Sequence, residues 1–119
     1  MSGDDKNNFR LLHTMIRVKD LDKSINFYVD KLEMKLLRRT DFPGGKFTLA
    51  FVGYGDEKDT AVIELTHNWD QEVPYDLGDG FGHLALGVQD IYGICEKLAV
   101  QGVRDRFYRG PGWLQNRAY

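Results

Sequence analysis

The sequence predicts an α+β domain built from one complete βαβββ module and an incomplete second one, and three observations carry that prediction. The stretches "LLHTMIRVKDLDKSINFY" (11–28) and "FGHLALGVQDIYGICEKL" (81–98) repeat a pattern at a constant offset of 70, so that His13, Val18, Asp20 and Leu21 recur as His83, Val88, Asp90 and Ile91. In each copy, strand-like alternation gives way to a helical period at the aspartate. After the first helix come three more strand-like runs; after the second only 17 residues remain, too few for three strands of about 5–6 residues plus turns.

Residues 1–9 read as a solvated arm. Over 11–18, Leu12, Thr14, Ile16 and Val18 share one strand face and Leu11, His13, Met15 and Arg17 the other. Asp20 suits a helix N-cap, and Leu21, Ile25, Tyr28, Val29 and Leu32 fall on one helical stripe. "MKLLRRTDF" (34–42) and "KFTLAFVGY" (46–54) read as strands joined at the turn "PGG" (43–45). "TAVIELT" (60–66) is the fourth strand, with Val62, Glu64 and Thr66 facing one way and Ala61, Ile63 and Leu65 the other.

A long loop is expected over 68–80. The pattern then restarts with a strand at 81–88, Asp90 as cap, and a helix from about 91 to 101 closed by Gly102. The tail "VRDRFYRGPGWLQNRAY" shows no convincing strand alternation. The expected organisation is a single domain over 1–119, with a first module at 10–67, the start of a second at 81–102, and an atypical tail at 103–119.

With 42% hydrophobic and 29% charged residues, the chain can bury a core. A net charge of -2, with Arg and Lys scattered, gives no electrostatic reason to expect nucleic acid or an anionic membrane as partner. No apolar run reaches the roughly 20 residues a membrane span needs. One cysteine, Cys95, and a polar start without a signal-peptide core make the cytoplasm the expected compartment.

Three polar residues stand out on apolar strands. His13, Glu64 and His83 each read as mid-strand, on the face opposite the Ile/Leu/Val row. A buried carboxylate is costly unless a charged partner or a metal compensates it. Imidazoles and a carboxylate on neighbouring strands suit a borderline divalent ion. A lone strand histidine is commonly a hydrogen-bonded core residue, and a lone Glu an outward one. The repeat argues for metal, because His13 and His83 occupy equivalent positions that a pseudo-twofold axis would bring together. His67 has no counterpart in the repeat and reads as a surface residue at a loop edge. Cys95 reads as a small buried residue on its helix stripe, and Asp20 and Asp90 as caps. Met15, Phe47, Phe51 and Trp69 suit either a site lining or the core. Glu64 lies 51 residues after His13; its repeat counterpart would fall at 134, beyond residue 119.

"LLHTMIRVKDLDKSINFYVDKLEMKLLR", "FTLAFVGYG", "AVIELTHNW" and "FGHLALGV" resemble glyoxalase I, the lactoylglutathione lyase family, in its short microbial form, over residues 10 to about 102. The resemblance implies the vicinal oxygen chelate fold of two βαβββ modules, shared with bleomycin-resistance proteins. It implies His13, Glu64 and His83 as three of four metal ligands, with Glu64 as the remaining catalytic carboxylate, and Arg17 and Asn68 as residues that hold glutathione. It implies Ni²⁺ or Co²⁺, with Zn²⁺ as an alternative, and a homodimer whose sites lie between chains. The substrate would be the methylglyoxal–glutathione hemithioacetal, converted to S-lactoylglutathione by metal-assisted proton transfer. The family's ending, Asp-Pro-Asp-Gly and a strand carrying the fourth ligand, is absent, so a truncated or frame-shifted version with impaired activity is expected. Glu33 stands where the family has Gly. An inactive fragment, or a metal-poor small-molecule-binding protein of this fold, is the alternative. An Fe(II) dioxygenase is a further one, disfavoured because the ligands straddle the repeat.

Overall fold

Asp20 opens the first helix as the sequence predicts, accepting the Lys23 backbone N–H at 3.0 Å, and Asp90 repeats the arrangement with Gly93 at 3.0 Å. Between and around these caps a computed structural model describes residues 8–103 and the backbone of 107–110 and 113–116. The N-terminal arm up to residue 7 and the rest of the tail lie outside the described residues. Strands β1 (His13–Arg17), β2 (Lys35–Phe42), β3 (Phe47–Gly53) and β4 (Val62–Asn68) form one sheet in the order β1-β4-β3-β2. β1 runs parallel to β4, and the other pairs are antiparallel. With helix α1 (Leu21–Asn26) these strands make a βαβββ unit.

The second unit begins with β5 (Leu84–Gly87) and α2 (Ile91–Val100) and continues with β6 (Phe107–Gly110) and β7 (Trp113–Asn116). The tail thus forms two short strands where its sequence showed no alternation. Four-residue strands are too short to display a period in the sequence; what defines them is backbone pairing, β7 with β6 on one side and with β5 on the other. Their order, β5-β7-β6, is antiparallel throughout. In the first unit the strand beside β1 is parallel; in the second the strand beside β5 is antiparallel.

α1 continues as a π-helical segment, Phe27–Lys31. Counting explains it. Glu33, where the backbone after the first helix turns left-handed (φ 62), lies at an offset of thirteen from Asp20, whereas Gly102 (φ 80) lies at an offset of twelve from Asp90. A π turn absorbs one extra residue without ending the helix. Gly102 closes α2 as a Schellman motif, with Gly102 N–H to the Ala99 carbonyl and Val103 N–H to the Leu98 carbonyl. Glu33 takes the corresponding place after the π segment, where Leu32 N–H bonds the Phe27 carbonyl and Met34 N–H the Tyr28 carbonyl.

The core lies on the helix face of the first sheet. Val18, Leu21, Phe27, Tyr28, Leu32, Met34, Ala50, Val52 and Leu65 are buried together, and Leu98 of α2 enters the same cluster. Burying such a leucine stabilises by about 1.5–3 kcal/mol, so α2 is fastened to the first unit rather than only to its own strands. Burial pushes the Tyr28 hydroxyl far above its ordinary pKa. Tyr54 donates to the Leu32 carbonyl at 2.7 Å, tying the β3 exit to the end of the π segment. Among the described residues no helix is long and apolar enough to cross a membrane.

Glu33 holds its left-handed conformation without glycine's freedom, which costs about 1 kcal/mol. Its carboxylate sits 3.1 Å from Lys97 Nζ, an exposed pair worth about 0–1 kcal/mol. Glu33→Gly is therefore expected to leave stability unchanged or raise it by up to about 1 kcal/mol. Urea unfolding checks this, and a clear loss would mean that the link to Lys97 outweighs the backbone strain.

Candidate metal centre

The parallel register aligns His13 with Val62, Met15 with Glu64 and Arg17 with Thr66, so His13, Met15, Arg17, Glu64 and Thr66 share the face away from the helices. On it, His13 Nε2 lies 3.0 Å from Glu64 Oε1. The other carboxylate oxygen, Oε2, accepts the Thr66 hydroxyl at 3.3 Å. His13 is the first residue of β1, and β1 is a sheet edge. Its side chain keeps 41% of its surface exposed while that of Glu64 keeps 15%. The pair is a carboxylate held at the sheet floor with an imidazole at its rim.

Beneath and beside them lies Phe51, opposite Glu64 in the β3–β4 register and only 4% exposed. Its ring meets His13 edge-on at 5.5 Å and 89°, and the Arg38 guanidinium lies 3.8 Å from its centroid. Arg38 in turn makes two hydrogen bonds to Glu57, at 2.8 and 3.1 Å.

Asn68, expected at the start of a loop, is the last residue of β4, and its amide donates to Tyr75 Oη at 2.8 Å. Arg17 is exposed at the end of β1 and lines an open cavity of about 950 Å³ with Asp20, His67, Tyr75 and Phe81. His67 is not the surface residue its sequence suggested. β4 runs on through it to Asn68, pointing it to the helix face, where it is half-buried with Nδ1 3.4 Å from the Val18 carbonyl. Trp69 Nε1 donates to Thr48 Oγ1, and Thr48 to Asp41, which anchors the exit of β4. Cys95 is half-buried against the core.

His83 departs from its expected place. It is exposed and precedes β5 instead of standing mid-strand. β5 extends only as far as its ladder with four-residue β7, from Leu84–Asn116 to Gly87–Trp113. Among the described residues no group of three His, Cys, Asp or Glu side chains comes close enough to hold a metal. His13 and Glu64 are brought together; His83 is not with them. The pair's donor set, one imidazole nitrogen and one carboxylate oxygen, fits half of a borderline divalent-metal site.

Sequence reasoning missed Thr66, Tyr75, Arg38 and Glu57 and left Phe51 unassigned. Glu64 and Thr66 at i and i+2 on one strand was the available signal for Thr66. Arg38 had none, because its face depends on an irregularity between β2 and β3.

A family model described as Glyoxalase/Bleomycin resistance protein/Dioxygenase superfamily matches residues 10–119. A probable lactoylglutathione lyase of Synechocystis is 63% identical over 106 residues, covering 89% of this chain and 79% of that protein. A lactoylglutathione lyase of Neisseria meningitidis is 62% identical over 93 residues, covering 78% of this chain and 67% of its own. Among solved structures, the glyoxalase I of Leishmania major superposes with a TM-score of 0.76 at 42% identity, covering 87% of this chain and 73% of that one.

The Arg38 hydrogen bonds hold the Glu57 carboxyl below its ordinary value of 4.5. The folded chain therefore binds less proton here than the unfolded chain, and the stabilisation is complete above about pH 4.5 and lost as pH falls through the depressed value. Glu57→Gln should separate from the parent in unfolding free energy near neutral pH, with the gap closing in acid and shrinking with added salt. A gap that persists unchanged at pH 3 would contradict this.

Proposed function

The chain belongs to the Glyoxalase/Bleomycin resistance protein/Dioxygenase superfamily, and from that premise we propose that it is a lactoylglutathione lyase acting on the hemithioacetal of methylglyoxal and glutathione. The observation that carries this reading is the His13–Glu64 pair at 3.0 Å on an open sheet edge. It stands in a chain 52–63% identical to proteins named lactoylglutathione lyase.

His13 and Glu64 hold a divalent ion, Ni²⁺ or Co²⁺ in first place and Zn²⁺ as an alternative. When bound, the ion supplies Lewis-acid polarisation of the substrate's two oxygens. The remaining donor of this chain, His83, serves the site of a second copy, so that a homodimer carries two sites, each with His13 and Glu64 of one protomer and a histidine of the other. Two facts support this: among the described residues, His83 is exposed and apart from the pair, and β1 presents an unpaired edge next to the pair. The cytoplasm, where glutathione is kept reduced, suits this function.

Glu64 is the group that moves the proton. Its carboxylate takes the proton from the carbon bearing sulfur and oxygen and returns it to the neighbouring carbonyl carbon, while the hydroxyl proton of the first carbon passes to the oxygen of the second, converting hemithioacetal to thioester without net oxidation. Thr66 fixes the carboxylate by its bond to Oε2, leaving Oε1 facing His13. Arg17, at the end of the same strand, pairs with a glutathione carboxylate, and Asn68 binds the peptide portion, held by Tyr75. The strand beside β5, Trp113–Asn116, has no Asp or Glu in its sequence, which supports Glu64 as the group that moves the proton and a slowed turnover.

Glu64→Gln should lower kcat by about 10²–10⁴-fold, the usual worth of a positioned base. Arg17→Met should act chiefly on KM, by about 10–100-fold for a charged hydrogen bond of 1.5–3 kcal/mol. Steady-state kinetics on the Ni²⁺-loaded protein separate the two. An unchanged kcat in Glu64→Gln would contradict the assignment.

A further inference from the structure

We propose that Arg38 and Glu57 form a positioning clamp that holds the Phe51 ring, and through it the His13 imidazole, in the orientation that presents Nε2 to the metal. The clamp rests on the reading of His13 and Glu64 as metal ligands.

The strand register carries the inference. From the pair Leu36–Val52, regular antiparallel pairing would set Arg38 opposite Ala50 and send it to the helix face. Instead the register shifts between Leu36 and Arg38, so Arg38 stands opposite Phe51 and Arg39 opposite Ala50. One inserted residue has re-aimed two arginines, as bulges beside functional sites do. Arg39 turns to the helix side and pairs with Asp22 at 2.8 Å. Arg38 turns to the site face and lies on the Phe51 ring at 3.8 Å.

Phe51 lies on the face that carries Glu64 and Arg17, yet only 4% of it is exposed. A guanidinium plane on the ring face and an imidazole at its edge are the favoured contacts of an aromatic quadrupole. Glu57 holds the guanidinium over the ring with two hydrogen bonds. Arg10 donates to the Glu57 carbonyl at 3.1 Å and so ties that loop to the segment leading into β1. The elements around the half-site form a closed circuit: the β1 entry, the 54–61 loop, β2, β3 and β1 again.

Charge explains why Glu57 is needed. A lone guanidinium this close would repel a divalent cation, whereas the Arg38–Glu57 pair is neutral as a unit. Metal-ligating histidines are ordinarily fixed by an outer partner whose loss costs 10–100-fold in metal affinity. Here the edge of an aromatic ring, itself clamped, takes that part.

The test is Ni²⁺ binding by isothermal titration calorimetry to parent, Arg38→Lys, Glu57→Gln and His13→Ala proteins, with metal-free thermal unfolding recorded for each. Arg38→Lys keeps the charge but loses the planar stack and the two-point grip; Glu57→Gln leaves the arginine uncompensated. Each is expected to weaken Ni²⁺ binding by roughly 10-fold or more, and to shift the His13 ring proton resonances in the metal-free protein. If Arg38→Lys fails to fold, Phe51→Leu replaces it with the same expectation. Affinities within about twofold of the parent, while His13→Ala loses binding, would overturn the clamp and leave the ligand assignment standing. Unchanged affinity in His13→Ala would overturn the ligand assignment and the clamp with it.

Discussion

The parallel ladder between β1 and β4 is the constraint from which the rest of the site follows. A parallel pair cannot be closed by a tight turn; it needs a long crossover, here α1, the π segment and the β2–β3 hairpin. That crossover builds the core on one face of the sheet and leaves the other face open. The same register that buries Ile63 and Leu65 against the helices sets Glu64 on the open face, beside the strand that His13 begins. A one-residue slip of β1 would send His13 to the core and Thr14 to the rim. Packing of the apolar row and placement of the His13–Glu64 pair are therefore a single structural decision.

Much of this was written in the residues themselves. The repeat at offset 70, the two aspartate caps and the period-2 runs locate five strands and two helices to within a few positions, because each signal is local and each element has a polar and an apolar side. Glu64 was legible for the same reason: a carboxylate inside "VIEL" needs an explanation whichever way the strand faces. What could not be read depends on a partner distant in sequence. β5 is shorter than its own pattern because β7 is short, and that leaves His83 outside it. β4 is longer than its pattern because β3 pairs with it through Asn68, which turns His67 inward. Arg38 reaches the site only through the shift against β3.

The helix that follows each aspartate shows how a repeat diverges without losing its architecture. The first copy carries one residue more, and the π segment takes it up while Phe27 and Tyr28 stay buried. The cost appears at Glu33, a non-glycine residue in left-handed conformation where the second copy has Gly102. The second unit diverges further, with an antiparallel neighbour beside β5. The two halves are unequal in what they place at corresponding positions: among the described residues the first sets His13 against Glu64, while His83 of the second stands apart from both.

The central claim is that these unequal halves meet between protomers. It is tested most directly by mixing two inactive variants, His13→Ala and His83→Ala, after co-refolding with Ni²⁺, and measuring hemithioacetal turnover. In a mixed dimer one site would lose both histidines and the other would keep both, so about a quarter of parental activity should return for random twofold pairing. If the mixture stays as inactive as its components, the two histidines do not serve a site shared across the dimer, and the account is wrong.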